Sequence, residues 1–324
     1  MSEILKRKFN IGIGKETTRG TKVTPAFWLK PLNEDISEKI DVIATERSMG
    51  VIQDSEDQVI SKKFASGVVA GEIFDQSFGF FLLGAFGSVS SSETGDSGVY
   101  EHTFSVLQSA EHPTFTIEKK RGDLEQVSYP NSVIESLKID ASVNDYVKFE
   151  AQLRGKKGES SSNSPSYVAE NYFMAKNIAV KLAANYSGID SATAIDARNI
   201  SLTINKNIED KDILNNDGPS DFLVKQVAVE GSVELYFSSL YMRDYALDGD
   251  SKAMRVELTN TDVTIGATSN PKLVIDLAKV KFSDPVESGD NNELVKMVVA
   301  FKGFYSLTDS KSAEAVLTNE KSSY

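Results

Sequence analysis

The sequence predicts a mainly β protein with short α-helices, in which one arrangement of elements occurs twice. Several segments alternate apolar and polar residues with period 2, and this alternation is typical of strands with one buried face. Two short segments with possible caps predict helices, and each stands between two predicted strands. The order strand, helix, strand therefore occurs in residues 63–106 and again in residues 225–258.

The N-terminal 22 residues are predicted to form an arm, because Gly12, Gly14 and Gly20 interrupt any periodicity. A first folded unit is expected at residues 23–155. It begins with an apolar segment around Trp28 and continues with strand-like segments that are joined by an acidic loop.

The segment from Phe78 to Phe86 is almost wholly apolar. It is too short to span a membrane, which needs about 20 apolar residues, so it predicts a short helix packed against a sheet. Asp75 or Ser77 is expected to cap its N-terminus, and Gly87 is expected to end it in a left-handed conformation. A second helix is predicted at residues 238–247, again with a serine cap.

The clearest alternation lies in residues 136–143 and 146–154. In each segment every second residue is apolar and the residues between them are polar. Asn144 and Asp145 stand between the two segments and are typical of a tight turn. The sequence therefore predicts a hairpin with one dry face and one wet face.

Residues 156–166 are polar and rich in serine, and they predict a linker. A second folded unit with a C-terminal tail is expected at residues 167–324. Within it, residues 273–277 and 294–303 correspond in pattern to the two strands of the hairpin. Because identity between the two units is low, the duplication is inferred from the order of elements.

Composition excludes several classes of site. The chain has 324 residues, a net charge of −12 and no cysteine, which excludes disulfides and thiolate metal sites. A strongly acidic chain argues against a groove that grips nucleic acid through its phosphates. The N-terminal residues include no apolar segment of the kind found in signal peptides, so none is expected.

Catalytic chemistry is not expected, and neither is a cofactor or a bound metal. The two histidines, His102 and His112, show no spacing that would bring ligands to one point. The carboxylates lie in polar loops, whereas a carbohydrate-active enzyme would place a pair of them in a cleft with aromatic residues nearby.

Several segments, taken in order, resemble siphophage tail tube (major tail) proteins. They are residues 16–21 with 27–29, residues 66–72 with the apolar helix up to Gly87, residues 100–104, residues 113–118, and residues 315–319 with the terminal Tyr324. The resemblance spans nearly the whole chain and rests on order and spacing. It implies two tandem tail-tube-like domains, each a β-sandwich or partial barrel with a flanking helix.

The resemblance also implies a function: a structural virion protein whose stacked rings form the tail tube, a channel for DNA delivery into the host. Two domains per chain favour a trimeric ring with pseudo-sixfold symmetry, and a hexameric ring is the alternative. The implied partners are further copies of the chain and the tape measure, terminator and distal tail proteins. DNA is expected to pass without specific binding and no membrane is involved. The expected location is the virion tail, assembled in the host cytoplasm.

Two sets of residues are candidates for roles in such a tube. The wet face of the hairpin is expected to face the lumen through Lys138, Asp140, Lys148, Glu150 and Gln152. The polar loops are expected to make contacts between rings through Asp54, Glu56, Asp57, Glu209, Asp210 and Asp212. A two-domain β-sandwich binding module, such as an adhesin of a phage tail, is the alternative function.

Overall fold

A computed structural model describes residues 3–324 of the chain. Within these residues the fold comprises nineteen strands and two α-helices, and every strand pairing is antiparallel. The sheets do not close into a barrel. The prediction of a mainly β fold with short helices is therefore confirmed.

The elements fall into two runs along the chain. The strands of the first half, residues 9–160, are β1 (Phe9–Lys15), β2 (Phe27–Leu29), β3 (Asn33–Glu34), β4 (Ser37–Ala44), β5 (Gln58–Glu72), β6 (Gly87–Glu93), β7 (Tyr100–Val106), β8 (Phe115–Arg121), β9 (Glu125–Ser142), β10 (Lys148–Gly155) and β11 (Glu159–Ser160). Those of the second half, residues 178–319, are β12 (Ile178–Ala183), β13 (Ala194–Ile195), β14 (Ala197–Lys211), β15 (Asp221–Tyr236), β16 (Ser251–Thr259), β17 (Lys272–Ser288), β18 (Lys296–Gly303) and β19 (Ala313–Asn319). Helix α1 (Phe78–Phe86) follows β5, and helix α2 (Tyr241–Asp248) follows β15.

The same order of strand pairing occurs in both halves. In each half one long strand, β9 or β17, takes part in two sheets. Its C-terminal part completes the order β4-β5-β10-β9 or β14-β15-β18-β17. Its N-terminal part completes the order β2-β1-β8-β9 or β13-β12-β16-β17. Strands β6 and β7 form a hairpin that is present only in the first half.

The two halves share one continuous sheet. Strand β9 pairs with β14 in a register that runs from Ser142 opposite Asn199 to Ser136 opposite Asn205. This seam joins the two four-stranded orders into an eight-stranded sheet, β4-β5-β10-β9-β14-β15-β18-β17, which we call the long sheet. A second connection between the halves is the pairing of β7 with β19.

Helix α1 lies in the core of the first half, and all nine of its residues are buried. Its ring contacts with the long sheet include Phe81 and Phe149, whose centroids are 4.5 Å apart. Gly87 ends the helix with φ 96°, as predicted. The predicted N-terminal cap is wrong, because Ser77 is already helical and its side chain bonds no backbone N–H of the helix, while Asp75 accepts hydrogen bonds from Asn171.

Helix α2 packs against β17 with a single buried residue, Met242. It is preceded by Leu240, whose side chain cannot cap, so the predicted serine cap is wrong here as well. Gly249 ends the helix in the left-handed conformation, at φ 68°.

Residues 9–15 of the predicted N-terminal arm form a strand inside the first half. Ile11 and Ile13 of β1 are fully buried between β2 and β8. Glu16 follows and accepts hydrogen bonds from the Thr114 hydroxyl (2.6 Å) and the Asn131 backbone N–H (2.8 Å). This part of the arm is therefore ordered by its own buried contacts. Met1 and Ser2 lie outside the described residues.

The C-terminal residue fastens the second half to α1. The Tyr324 hydroxyl donates to the Gln76 carbonyl oxygen (2.6 Å) and accepts from the Asn319 amide (2.7 Å). Burial raises the pKa of Tyr324. The ring lies against Gly79 of α1, where a Cβ atom would come within 2.1 Å of it. Only glycine leaves room for the ring at this position.

A buried lysine makes another contact between the halves. Lys206 of β14 donates from Nζ to the Gly84 carbonyl oxygen in the last turn of α1, at 2.5 Å. A cation is favourable at this end of a helix, where backbone carbonyls lack partners. Burial, and secondarily the positive charge of Arg19, lower the pKa of Lys206 from 10.5 to about 7.

We expect Gly79→Ala to destabilise the protein by about 1–3 kcal/mol, because the new methyl group overlaps the Tyr324 ring. Gly95→Ala is the matched control, since a Cβ atom there meets nothing within 4 Å. In chemical denaturation, Tyr324→Ala combined with Gly79→Ala should cost less than the sum of the two single changes. Additive costs would show that the ring and Gly79 are not in contact.

Lys206→Met should change how stability depends on pH. The pKa of Lys206 is lower in the folded state than in the unfolded chain, so between about pH 7 and 10 the unfolded state binds more protons. The free energy of unfolding of the native sequence therefore rises through this window, by up to about 1.4 kcal/mol per pH unit from this group. Urea unfolding at pH 7, 8.5 and 10 should show this rise reduced in Lys206→Met. The exposed Lys211→Met on the same strand should behave as the native sequence does, and parallel curves for all three proteins would contradict the assignment.

Candidate assembly surface and channel face

The five residues predicted to face a lumen lie together on one face of the β9–β10 hairpin. They are Lys138, Asp140, Lys148, Glu150 and Gln152. The register places Lys148 opposite Asp140 and Glu150 opposite Lys138. Each of the five is at least partly exposed, and the residues between them along the strands are buried. This arrangement is the two-faced hairpin that the alternation predicts, while their position in a channel remains a prediction.

The same polar face continues across the seam into the second half. Its further members are Ser201, Thr203 and Asn205 on β14, Glu230, Ser232 and Glu234 on β15, and Lys296, Val298, Ala300 and Lys302 on β18, of which only Val298 and Ala300 are apolar. None of these side chains is buried. Charges of both signs are present, and some of them pair locally, as between Lys138 and Asp140 (2.8 Å). The long sheet therefore has one hydrated face that extends over both halves.

Each end of the long sheet carries an unpaired strand edge. Within residues 3–324, β3 and β4 pair only with β5, and residues 282–288 of β17 pair only with β18. Such edges expose backbone N–H and C=O groups that can pair with another chain. Pro285, which has no N–H group, interrupts the edge of β17.

The free edge at β3 and β4 occupies the position that β14 has at the seam. Asn33 stands opposite Ala70 on β5, as Asn199 stands opposite Glu234 on β15. The β4–β5 and β14–β15 ladders both have a bulge at the same distance from this point, next to Val42 and Ile208 respectively, and β14–β15 has a second register shift between Ala197 and Asn199. The two edges are therefore equivalent in register, but only that of β14 is paired within the chain.

The ends of these two equivalent hairpins have different surroundings. Beyond the seam, β14 and β15 continue over the first half, where Ile208, Phe222 and Val224 pack on Val133 in a buried cluster. The end of the β4–β5 hairpin has no such support, and every residue from 38 to 44 and from 46 to 61 is exposed.

Ion pairs fix the docked β14–β15 hairpin to the first half. Lys62 Nζ lies 2.6 Å from the Asp210 carboxylate and 2.9 Å from that of Asp212. Arg154 contributes a further hydrogen bond to Asp210 at 3.0 Å. At the other side of the hairpin, Arg19 Nε lies 2.7 Å from the Asp221 carboxylate.

The residues predicted to contact another ring are not in one place. Asp54, Glu56 and Asp57 are exposed in the loop between β4 and β5. Glu209 is exposed and lies 3.1 Å from Lys225. The structure brings together only Asp210 and Asp212, which share Lys62 of the same chain.

Sequence reasoning missed the edge strands and a pair of lysines beside one of them. Lys281 and Lys302 are exposed and stand opposite each other on β17 and β18. A signal was available, because residues 294–303 correspond in pattern to residues 146–155. This match places Lys302 at the position of Arg154.

Both histidines have structural positions. His102 is buried, with Nδ1 near the Ser91 hydroxyl (2.7 Å) and Nε2 near the Lys321 carbonyl oxygen (2.8 Å). His112 is also buried, and burial together with the charge of Lys206 lowers its pKa to about 4. Among the described residues, no group of three or more His, Cys, Asp or Glu residues could hold a metal ion. Neither helix of residues 3–324 has the length and apolar character needed to cross a membrane.

Comparison with known proteins identifies the family. A search of curated proteins finds no significant match. A family model described as phage tail tube protein matches residues 8–303, nearly the whole chain. Proteins of this family are structural components of the virion tail and are not a class of enzyme. The match names a tube protein, and it gives no support to the alternative of a tail adhesin. The chain belongs to the phage tail tube protein family.

Proposed function

We propose that this protein forms the stacked rings of a phage tail tube, in which the polar face of the long sheet lines the channel that delivers DNA into the host. One observation carries the proposal: the seam between β9 and β14. It joins two halves of equal strand order edge to edge, and leaves an equivalent pair of edges free at β3–β4 and β17.

Ring closure follows from repeating the seam between chains. The free β17 edge corresponds to that of β9, so it can receive β3–β4 of the next copy as β9 receives β14. Two halves per chain favour a trimeric ring with pseudo-sixfold symmetry over the hexameric alternative. Closure pairs all the edges of the long sheet, which would otherwise promote uncontrolled association.

The channel face suits the passage of DNA without specific binding. Lys138, Asp140, Lys148, Glu150 and Gln152 lie on it with mixed charges, and the chain as a whole carries a net charge of −12. Tight binding to phosphates needs a cluster of positively charged side chains. On this face lysines alternate with acidic residues, so no such cluster forms. An acidic protein repels the DNA backbone and reduces the friction of sliding.

Contacts between stacked rings are proposed for the exposed loop between β4 and β5, through Asp54, Glu56 and Asp57, and for Glu209 on β14. Asp210 and Asp212 belong to the same predicted set, and their pairing with Lys62 has already neutralised part of their charge. We infer assembly in the host cytoplasm, with the tape measure, terminator and distal tail proteins as partners. The two-domain division of the chain, near residues 156–166, is part of the same proposal.

Electron microscopy of the purified protein should show rings or tubes with an axial hole. Averages viewed down the axis should show six similar lobes of two alternating shapes, because each of the three chains contributes two unlike halves. Monodisperse monomers at high concentration would contradict the proposal, and twelve lobes would favour the hexamer.

A disulfide across the proposed edge tests the ring directly. Lys138 stands opposite Thr203 at the seam, and register places Val286 and Ser37 at the equivalent positions of β17 and β4. The chain has no cysteine, so in Ser37→Cys with Val286→Cys only the introduced pair can cross-link. Under mild oxidation we expect a ladder on denaturing gels that ends at three chains. The single variants serve as controls and should give no product beyond a dimer. A ladder that ends at six chains would replace the trimer by the hexamer.

A further inference from the structure

The β4–β5 hairpin exposes an apolar face whose counterpart in the second half is buried. Ile40, Val42 and Ile60 are 55%, 45% and 51% exposed. The bulges next to Val42 and next to Ile208 align the two hairpins. In this alignment Val42 corresponds to Ile208, and Ile60 corresponds to Val224. These two counterparts are buried against Val133 of the first half.

The register identifies the surface in the second half that corresponds to the one around Val133. One row across the sheet joins Ser37, Ser66, Arg154 and Val133 on successive strands. The equivalent row joins Thr203, Glu230, Lys302 and Lys281. Lys281 therefore occupies the position of Val133, and Lys302 occupies that of Arg154.

We propose that the face formed by Ile40, Val42 and Ile60 docks on the second half of a neighbouring copy, over Lys281 and Lys302. This contact rests on the proposed ring and specifies a second interface between adjacent chains, in addition to strand pairing. It repeats between chains what the β14–β15 hairpin does within one chain.

The charges of the two surfaces are complementary. Lys281 and Lys302 stand directly opposite each other, and no ion pair among the described residues includes either of them, although Glu230 on β15 stands opposite Lys302 on its other side. Like charges in this arrangement are destabilising. Glu46 corresponds in register to Asp212, whose carboxylate binds Lys62 in the docked hairpin. The counterpart of Lys62 is Gln226, and that of Asp210 is Ala44, so Glu46 is the carboxylate that the docked hairpin brings to the side of Lys302 and Lys281.

The apolar groups of the two surfaces are complementary as well. Phe304 and Tyr305 directly follow β18 and are exposed, as is Leu247 in the last turn of α2. Ile40 corresponds to Lys206, which reaches the last turn of α1. Docking therefore brings Ile40 to the last turn of α2, beside Leu247, where an apolar partner replaces the ammonium group.

Val42→Asp and Ile43→Asp form a matched pair that tests the docking. The two residues are adjacent on β4, both are exposed, and their side chains lie on opposite faces of the hairpin. Glu209, the counterpart of Ile43, is exposed in the docked hairpin. We expect Val42→Asp to raise the protein concentration needed for assembly at least about tenfold, because it buries an unpaired carboxylate. Ile43→Asp should assemble as the native sequence does, and both variants should keep the native thermal midpoint. Equal assembly of the two variants would overturn the proposal.

A charge reversal tests the polar part of the interface. Lys302→Glu should impair assembly about tenfold, and Glu46→Lys in the same chain should restore it, since a complementary pair is formed again. Sedimentation and negative-stain microscopy measure both effects. Loss of assembly in Lys302→Glu without rescue would count against the assigned pairing of Glu46.

Two cysteine pairs separate failure of the docking from failure of the ring. Val42→Cys with Lys281→Cys reports the docking, and Ser37→Cys with Val286→Cys reports the strand seam. We expect both pairs to link neighbouring chains. A seam bond without a docking bond would overturn the docking and keep the ring. Absence of assembly and of both bonds would overturn the proposed function, and the docking with it.

Discussion

The unpaired backbone edges of the long sheet are the constraint on which the rest of the structure depends. An antiparallel sheet has two edges, and each edge presents hydrogen-bonding groups that water or another strand must satisfy. In this chain β14 covers the free edge of β9, and the register of that contact is continuous over seven residue pairs. The same solution remains open at β3–β4 and β17, and it is there that the proposed ring continues the sheet into another copy.

In the proposed ring, the fusion of two halves in one chain makes one of every two seams intramolecular. The seam within the chain forms at the effective concentration set by covalent connection, and only the seam between chains depends on protein concentration. Lys206 and Tyr324 of the second half bond to the first half, at Gly84 of α1 and at Gln76 just before it. These buried contacts hold the two halves at a fixed angle. A fixed angle between successive halves is what a closed ring of defined size requires.

Local patterns in the sequence predicted local structure well, and they failed where pairing is long-range. The alternation around Leu137 and Phe149 identified the hairpin and its wet face, because side-chain direction in a strand follows from period 2 alone. The sequence likewise predicted that the helix ends at Gly87, because glycine readily adopts the left-handed conformation. The burial of β1 was missed, since it depends on β8, about a hundred residues away. The use of β9 and β17 in two sheets, and hence the free edges, follows from such distant pairings. The cap predicted for α1 was wrong because the Asp75 carboxylate accepts hydrogen bonds from Asn171 instead of from the helix, and that for α2 was wrong because the helix begins after Leu240.

The two equivalent hairpins differ in composition in a way that their environments explain. The β14–β15 hairpin is docked as soon as the chain folds, so it can place Phe222 and Ile208 on an apolar partner, Val133. The β4–β5 hairpin is exposed in the single chain, where an apolar face larger than Ile40, Val42 and Ile60 would promote unspecific association. At the position of Phe222 it carries Gln58, and the proposed receiving surface has Lys281 in place of Val133. A contact that must form late gains more of its specificity from charge, because charged groups keep both surfaces hydrated until the correct partner arrives.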